Sequence, residues 1–355
     1  MKKLAPIAAA LLACGAVHAQ SSAVTIFGLL DVSVARFSGD GPSVTGVMTD
    51  GYQSSRLGFR GVEDLGGGLS ASFWLEAALS PDTGSGGTTN TKNQPTTATT
   101  ANDQGLTFGR RSTVSLASEA AGELRLGRDY TPGFWNLSNF HPFGTNGVGS
   151  AGVLFYPVQS GARITNVRAS NSVGYFLPKN LGGFYGQAMY ALGENASTSA
   201  NPDDGKVAGA RLGFAGGPLD VAVGYTKTKA AALGDFTQRN VGASYDLKVV
   251  KLFALYGENK VGATTTKPWN VGAHVPFGAG VFRAAYGKVK ATGVGNDATQ
   301  WTLGYVYNLS KRTALYTNYS QLDNKGTGTT FNVGASVTTP GGESKGYEFG
   351  IRHSF

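Results

Sequence analysis

The sequence predicts an all-β protein, a 16-stranded antiparallel transmembrane β-barrel. Three observations predict it: an export signal at the start, apolar residues that alternate with polar ones, and short connections that alternate with long ones. The composition agrees, because 53 Gly in 355 residues disfavour long helices. An apolar share of 41% and an aromatic share of 11% exclude a disordered chain.

The first 19 residues have the pattern of a secretory signal peptide. Lys2 and Lys3 precede an apolar run from Leu4 to Ala13, and a small-residue cleavage site follows that ends at Ala19. The alternative is a lipoprotein signal that is cleaved before Cys14, but it would leave only a short apolar core. We therefore expect cleavage after Ala19.

Residues 20–355 then form one predicted barrel domain. They contain no Cys, so disulfides and thiolate metal sites are excluded. They carry 28 Lys and Arg against 22 Asp and Glu, a formal charge of +6. No apolar run approaches the ~20 residues that a spanning helix needs. An exported chain of this kind is periplasmic, secreted or embedded as a barrel, and the strand pattern is needed to distinguish these three possibilities.

Apolar residues recur at every second position, which is typical of β-strands. Near the start, Ile26, Leu30 and Val34 share one predicted face, and Asp31 and Ser33 occupy the other. The last stretch repeats the pattern, with apolar positions at Tyr347, Phe349, Ile351 and Phe355. Alternation alone does not separate a soluble sandwich from a membrane barrel.

Connection lengths favour the barrel. Seven short breaks are predicted at 64–68, 118–122, 178–183, 215–218, 246–250, 276–280 and 309–311. Eight longer polar segments alternate with them, at 38–50, 81–104, 130–162, 194–204, 228–236, 261–267, 291–297 and 324–342. This order gives sixteen strands with both termini at the short-turn end, as in outer-membrane barrels. The strands near 251–261 and 312–323 show no clean face.

Aromatic residues cluster at predicted strand ends, where the two interfacial girdles of a membrane barrel would lie. The cluster comprises Phe73, Trp74, Tyr245, Phe253, Trp301, Tyr305, Tyr307, Tyr316 and Tyr319.

Six segments, in this order, resemble the general-diffusion porins of Gram-negative outer membranes, most closely the β-proteobacterial anion-selective branch. They are Ala23–Gly28 (AVTIFG), Ser55–Gly61 (SRLGFRG), Glu63–Gly68 (EDLGGG), Arg110–Leu116 (RRSTVSL), Leu124–Tyr130 (LRLGRDY) and Gly350–Phe355 (GIRHSF). The resemblance implies a homotrimer whose third loop, Thr131 to Ala162, folds into the lumen. It places the loop tip at Phe140, His141, Pro142, Phe143 and Gly144. It also implies that Tyr347, Phe349, Ile351 and Phe355 form the signal read by the barrel-assembly machinery.

Pores select ions through charged side chains at their narrowest point. Strand parity directs Arg56, Arg60, Arg111 and Arg125 toward the lumen, opposite apolar neighbours. The resemblance matches Arg56 and Arg111 to the constriction wall. It adds Arg163, with Arg168 on the same strand. The predicted basic ladder is therefore Arg56, Arg60, Arg111, Arg125, Arg163 and Arg168.

The sequence predicts that this ladder lacks counter-charges. No Asp or Glu occurs between Tyr130 and Gly193, although many relatives carry an acid at the loop tip. Leu29 also stands where some relatives place a Lys. An uncompensated basic waist attracts anions, so we expect anion preference.

A solute-specific channel that binds small carboxylates or phosphate stays open as an alternative, because arginines bind such groups bidentately. A structural or adhesive barrel would conduct nothing. Enzymatic motifs, metal sites and cofactor sites are not predicted, and export argues against nucleic acid. The expected partners are outer-membrane lipid, lipopolysaccharide, the barrel-assembly machinery, identical subunits and small anionic solutes.

Overall fold

The computed structural model describes residues 24–87, 89–94, 105–156, 165–292 and 296–355. Within them, sixteen long strands form one antiparallel sheet in sequence order, and the last strand pairs with the first. The prediction of a closed 16-stranded barrel is confirmed. The predicted signal peptide (1–19) and Arg163 lie outside the described residues.

Two additional short strands belong to connections. In chain order, the first nine strands are β1 (Thr25–Gly39), β2 (Val44–Thr49), β3 (Arg56–Gly66), β4 (Leu69–Ser80), β5 (Ser85–Gly86), β6 (Arg111–Ser118), β7 (Gly122–Tyr130), β8 (Arg168–Phe176) and β9 (Phe184–Ala191). The others are β10 (Val207–Gly216), β11 (Leu219–Thr228), β12 (Phe236–Asp246), β13 (Lys251–Val261), β14 (Thr264–Phe277), β15 (Gly280–Thr292), β16 (Asn296–Asn308), β17 (Thr313–Gly326) and β18 (Glu343–Ser354). The short strands are β2 and β5.

The barrel closes where β1 meets β18. The two strands pair from Leu29 opposite Ser354 to Gly39 opposite Ser344. Gly28 and Phe355 exchange both backbone hydrogen bonds at 3.0 Å beyond that register. Closure leaves no sheet edge, so backbone groups at the seam are paired inside the protein.

Strand alternation separates an apolar outer face from a polar inner face. On β18, Tyr347, Phe349 and Ile351 point outward and are exposed, whereas Glu348 points inward and is buried. Phe355, just after the strand, is also exposed. The role of these apolar residues in barrel assembly remains a prediction.

The strand at 251–261 also alternates, although its sequence shows no clean face. Leu252 and Tyr256 are exposed on the outside, while Phe253 and Leu255 are buried on the inside. Both faces are apolar here because this part of the inner wall is covered by protein rather than by water.

Three of the predicted girdle aromatics are not on the outer surface. Trp74, Phe253 and Tyr316 point inward, since they share parity with inward polar residues and contact inner groups. The other six lie on the outer face, as the girdle requires. Strand-end position alone did not distinguish the two faces.

The predictions of long loops at 261–267 and 291–297 are wrong. β13 ends at Val261 and β14 begins at Thr264, so only two residues connect them, with Gly262 at a φ of +56°. Likewise, β15 ends at Thr292 and β16 begins at Asn296. The polar segments there are strands, because Thr favours β-structure and a barrel strand can present polar residues to water.

The described part of the third long connection, 131–156 and 165–167, folds inside the barrel. It contains the helices α1 (Pro132–Phe140) and α2 (Gly152–Phe155). Its described part from Thr131 to Tyr156 has no Asp, Glu, Lys or Arg, so little desolvation opposes its burial. The main core cluster lies between this loop and the wall, and includes Leu137, Phe140, Leu154, Phe155, Leu255 and Val289. Neither helix of the described residues is long and apolar enough to cross a membrane.

Candidate functional site: the cavity between the third loop and the arginine wall

The third loop is tied to the barrel at its root by hydrogen bonds. The backbone N–H of Thr131 donates to the Val167 carbonyl at 3.0 Å, and its hydroxyl donates to the Asn166 carbonyl at 2.8 Å. The two ends of the loop are thereby held together above β7 and β8.

Helix α1 is held by a buried amide network. The Asn136 side chain donates to the Asn240 side-chain oxygen at 2.8 Å, and Asn240 donates back to the Gly133 carbonyl at 2.8 Å. Arg211 donates to the Asn136 oxygen at 2.6 Å. Buried amides satisfied on both sides fix the position of the helix, because undocking would break these bonds together.

Glycines on the inner wall make room for the loop. A Cβ at Gly242 would overlap the Phe140 ring, and a Cβ at Gly272 would overlap Pro142. Other wall glycines that face loop residues are Gly209, Gly224, Gly257, Gly287, Gly304 and Gly346. Part of the high glycine content therefore serves this close packing rather than turns.

The predicted loop tip packs against the wall and not against the cavity. Phe140, His141 and Phe143 are all buried. The carbonyl of Pro142 lies 2.7 Å from Nε2 of His274. Burial, with a smaller contribution from the nearby Arg283 charge, lowers the pKa of His141 to about 3. His141 is therefore neutral near pH 7 and contributes no positive charge.

A cavity of about 660 Å³ lies between the loop and the strands β3, β4, β6, β7 and β8. Its basic residues are Arg56, Arg110, Arg111 and Arg168. Among the described residues, the loop contributes uncharged groups to it, including Trp135, Ser138, Asn146 and Tyr156. Within this part of the chain, the positive charge lies on the wall opposite the loop.

Carboxylates accompany the arginines, and the expectation of an uncompensated wall is wrong. Oε1 of Glu76 lies 2.6 Å from Nε of Arg110 and 3.3 Å from Nη1 of Arg56. The Trp74 indole donates to the other oxygen of Glu76 at 3.1 Å. The expectation rested on the loop and the residues after it, whereas this acid comes from the wall strand β4.

A second acid lies beside the neighbouring arginines. Oδ2 of Asp129 is 2.6 Å from Nη1 of Arg125, and its Oδ1 is 3.8 Å from Nε of Arg111. Arg125 also pairs with Glu123 at 2.8 Å. Among the residues that line the cavity, four arginines stand against Asp50 and Glu76, a formal excess of two positive charges.

The predicted arginines do not all meet at one place. Arg56, Arg111 and Arg168 line the cavity. Arg60 is exposed and stacks on Phe27 and Trp74, with its guanidinium 5.3 and 5.2 Å from the two rings. Arg125 lines a different cavity of about 1110 Å³ near the short turns.

Arg110 was missed by the parity argument. It precedes the first residue of β6, so strand alternation does not set its direction, and both members of the Arg110-Arg111 pair reach the cavity. Its Nη2 donates to the Tyr130 hydroxyl at 2.8 Å, and Nη2 of Arg168 donates to the same oxygen at 3.0 Å. Tyr130 therefore positions two of the four cavity arginines.

Comparison with known proteins identifies the family. A family model described as Gram-negative porin matches residues 6–327. The chain is 38% identical to outer membrane porin protein 32 of Delftia acidovorans, over all of both chains. It is 29% identical to an outer membrane porin protein of Bordetella pertussis, over 98% of this chain and 99% of that protein. The solved structure of an anion-selective porin from Comamonas acidovorans superposes with a TM-score of 0.81 at 36% identity, covering 94% of this chain and all of that one. The inward loop, the closed barrel and these similarities agree: the chain belongs to the Gram-negative porin family.

Proposed function

We propose that this porin is a passive outer-membrane pore for small hydrophilic solutes and ions, and that its arginine wall makes it prefer anions. The observation that carries the preference is the excess of two positive charges around the cavity, facing a loop whose described part is uncharged. The anion-selective porin from Comamonas acidovorans, which shares the fold at 36% identity, supports the same direction.

The charge excess is large enough to produce an anion preference. One unit charge at ~8 Å contributes about 2 kcal/mol at an effective dielectric constant near 20, before salt screening. Screening at physiological ionic strength weakens this interaction energy, with a Debye length of about 8 Å. A net positive excess of this size still favours anions by roughly ten-fold at the waist of the pore.

The test is the reversal potential of the purified protein in planar bilayers under a KCl gradient. We expect the sign that corresponds to chloride permeating faster than potassium. A reversal potential of the cation-selective sign overturns the proposed preference, and a protein that inserts but carries no current overturns the pore.

A solute-specific channel is the second candidate. Arg110 and Arg168 converge on one Tyr130 oxygen, and guanidinium groups that are held in place suit bidentate binding of a carboxylate or phosphate. Current that saturates with one small organic anion supports this function. Current that rises linearly with every anion tested supports the general pore.

A homotrimer is supported by the outer surface. The exposed aromatic residues of the described barrel lie on β8–β18 or directly after β18, and membrane barrels place such residues at the lipid interfaces. On the outer face of β1–β7 the exposed large apolar residues are instead aliphatic, and they include Ile26, Leu30, Val34, Val114, Leu116, Leu124 and Leu126. We assign this face to contact with identical subunits. Light scattering on the detergent-solubilised protein should give three chains per particle, and Val114→Arg should lower that number.

A further inference from the structure

The cavity between the third loop and the arginine wall has two chemically different sides. The strands contribute guanidinium groups, and the described part of the loop contributes the aromatic rings of Phe134, Trp135 and Tyr156. The volume of about 660 Å³ falls within the range of about 300–1,000 Å³ that is typical of small-molecule sites. A solute that fits both sides therefore carries a negative charge at one end and a flat apolar group at the other.

Trp135 is the ring that α1 presents to the cavity. Trp135 and Ser138 are three residues apart on one face of the helix, and both are half-buried and line the cavity. Leu137 and Phe140, which are also three residues apart, are buried in the core cluster against the wall. An indole left partly exposed in the lumen forgoes a burial free energy of about 25 cal/mol per Å² of apolar surface, which a flat ligand would recover.

Two other rings of the cavity already have charged partners. The guanidinium of Arg111 lies 4.7 Å from the centre of the Trp74 ring. That of Arg168 lies 4.5 Å from the centre of the Tyr130 ring. Trp135 contacts Tyr130, with ring centres 5.1 Å apart and planes inclined by 51°. Within the described residues, these two guanidinium groups stack on wall rings and not on Trp135, so part of the Trp135 ring stays available to a solute.

Arg111 supplies the group for the charged end of such a solute. Its Nε donates to the Thr113 hydroxyl at 3.1 Å and lies 3.8 Å from Oδ1 of Asp129. The Arg111 side chain is 18% exposed, against 10% for that of Arg110. Within the described residues, the bonds of Arg111 therefore use Nε and leave both Nη groups for a carboxylate, whose two oxygens match the guanidinium fork.

We propose that the pore selects aromatic monocarboxylates, with the carboxylate on the Arg111 guanidinium and the ring on the Trp135 indole. The inference rests on the proposed pore, because a solute reaches this cavity through an open lumen, and it gives the solute-specific channel a substrate class. Aromatic stacking beyond area burial corresponds to about two- to ten-fold in affinity. A saturated ring of similar size does not gain this contribution.

The test compares benzoate with cyclohexanecarboxylate, which has the same charge and a similar size but a saturated ring. The first readout is the concentration of each acid that half-blocks the chloride current of the purified protein in planar bilayers. The second readout is the dissociation constant of each acid from saturation-transfer NMR on the detergent-solubilised protein, which needs no current. Heat-modifiable migration on gels checks that every variant folds.

Four variants separate the ring contact from the charge contact. Trp135→Leu removes the aromatic ring and keeps an apolar side chain, and Trp135→Phe keeps a ring. Trp301→Leu is the matched control, because Trp301 lies on the outer face of β16. Arg111→Gln removes the charge and tests the carboxylate contact.

We expect wild type to bind benzoate about two- to ten-fold more tightly than cyclohexanecarboxylate. Trp135→Leu should lower this ratio to about one, whereas Trp135→Phe and Trp301→Leu should keep benzoate preferred. Arg111→Gln should weaken the binding of both acids by at least about ten-fold. Equal binding of the two acids by wild type, or an unchanged ratio in Trp135→Leu, overturns the proposal.

This proposal and the proposed pore fail in different ways. A protein that carries no current overturns the pore, and the ratio of the two NMR dissociation constants still decides whether the aromatic carboxylate site exists. An anion-selective current that benzoate and cyclohexanecarboxylate block equally well overturns the aromatic carboxylate site and leaves the pore and its anion preference standing.

Discussion

The carboxylate of Glu76 lies 2.6 Å from Nε of Arg110 and also pairs with Arg56, so one acid of β4 holds two arginines on the cavity wall. Glu76 is itself only 3% exposed. The wall is therefore an arranged mixture of charges with a positive remainder, and its selectivity should respond to the acid as well as to the bases.

Replacing Glu76 by Gln should raise anion preference. The change removes one negative charge beside the cavity and leaves an amide of the same shape that still accepts a hydrogen bond from Arg110. We expect the chloride-to-potassium permeability ratio, measured from reversal potentials, to rise by about two- to five-fold, given about 2 kcal/mol per charge before screening. Glu63→Gln makes the same charge change on the outer face and should leave the ratio unchanged; a fall with Glu76→Gln would contradict the assignment.

Replacing Arg56 by Glu should lower anion preference markedly. The substitution changes the cavity charge by two units and places a second carboxylate near Glu76. The chloride-to-potassium ratio should fall by about ten-fold or more. Arg352→Glu carries the same charge change away from this cavity, so equal effects of the two substitutions would argue against a local arginine wall.

Filling the glycine positions under the loop should displace it. In Gly242→Val the new side chain would overlap the Phe140 ring, and overpacking of this kind costs about 1–3 kcal/mol. We expect altered single-channel conductance and faster proteolytic cleavage within 131–156. Gly105 has open space around its Cβ position, so Gly105→Val should leave conductance and cleavage rate as in wild type.

Lowering the pH should weaken the docking of the third loop, because His141 becomes protonated. Burial lowers the pKa of this side chain to about 3, against about 6.5 when it is exposed. Between these two pKa values the undocked loop therefore binds more protons than the docked loop. Docking consequently loses stability as the pH falls from about 6.5 toward 3. The full shift corresponds to at most about 5 kcal/mol.

Hydrogen exchange of the loop amides at pH 7 and pH 4 measures this effect. Exchange corrected for its intrinsic pH dependence should be faster at pH 4 in wild type, and His141→Phe should remove most of the difference. An unchanged pH dependence in the variant would assign the effect to other groups. Because His141 stays neutral above pH 5, it should not change ion selectivity between pH 5 and pH 8.

The strand pattern, the closed barrel and the arginines Arg56, Arg111 and Arg168 could be predicted from the sequence. Period-two alternation reports which face of a strand meets lipid, and residues of the same parity share that face. The strand at 251–261 showed no clean alternation, because its inner residues, such as Leu255, pack against the loop rather than against water. Alternation also did not identify the polar beginning of the strand near Thr264, because a lumen-facing position tolerates the residues that usually mark loops.

The sequence by itself determined the local conformation of this protein and the sign of its charge, since alternation, turn residues and composition act over a few positions. Only the tertiary structure decided which charges meet. Glu76 and Arg110 are 34 residues apart, and they pair because β4 and β6 are neighbours in the sheet. The docking of Phe140 on Gly242 likewise joins residues that are far apart in the sequence.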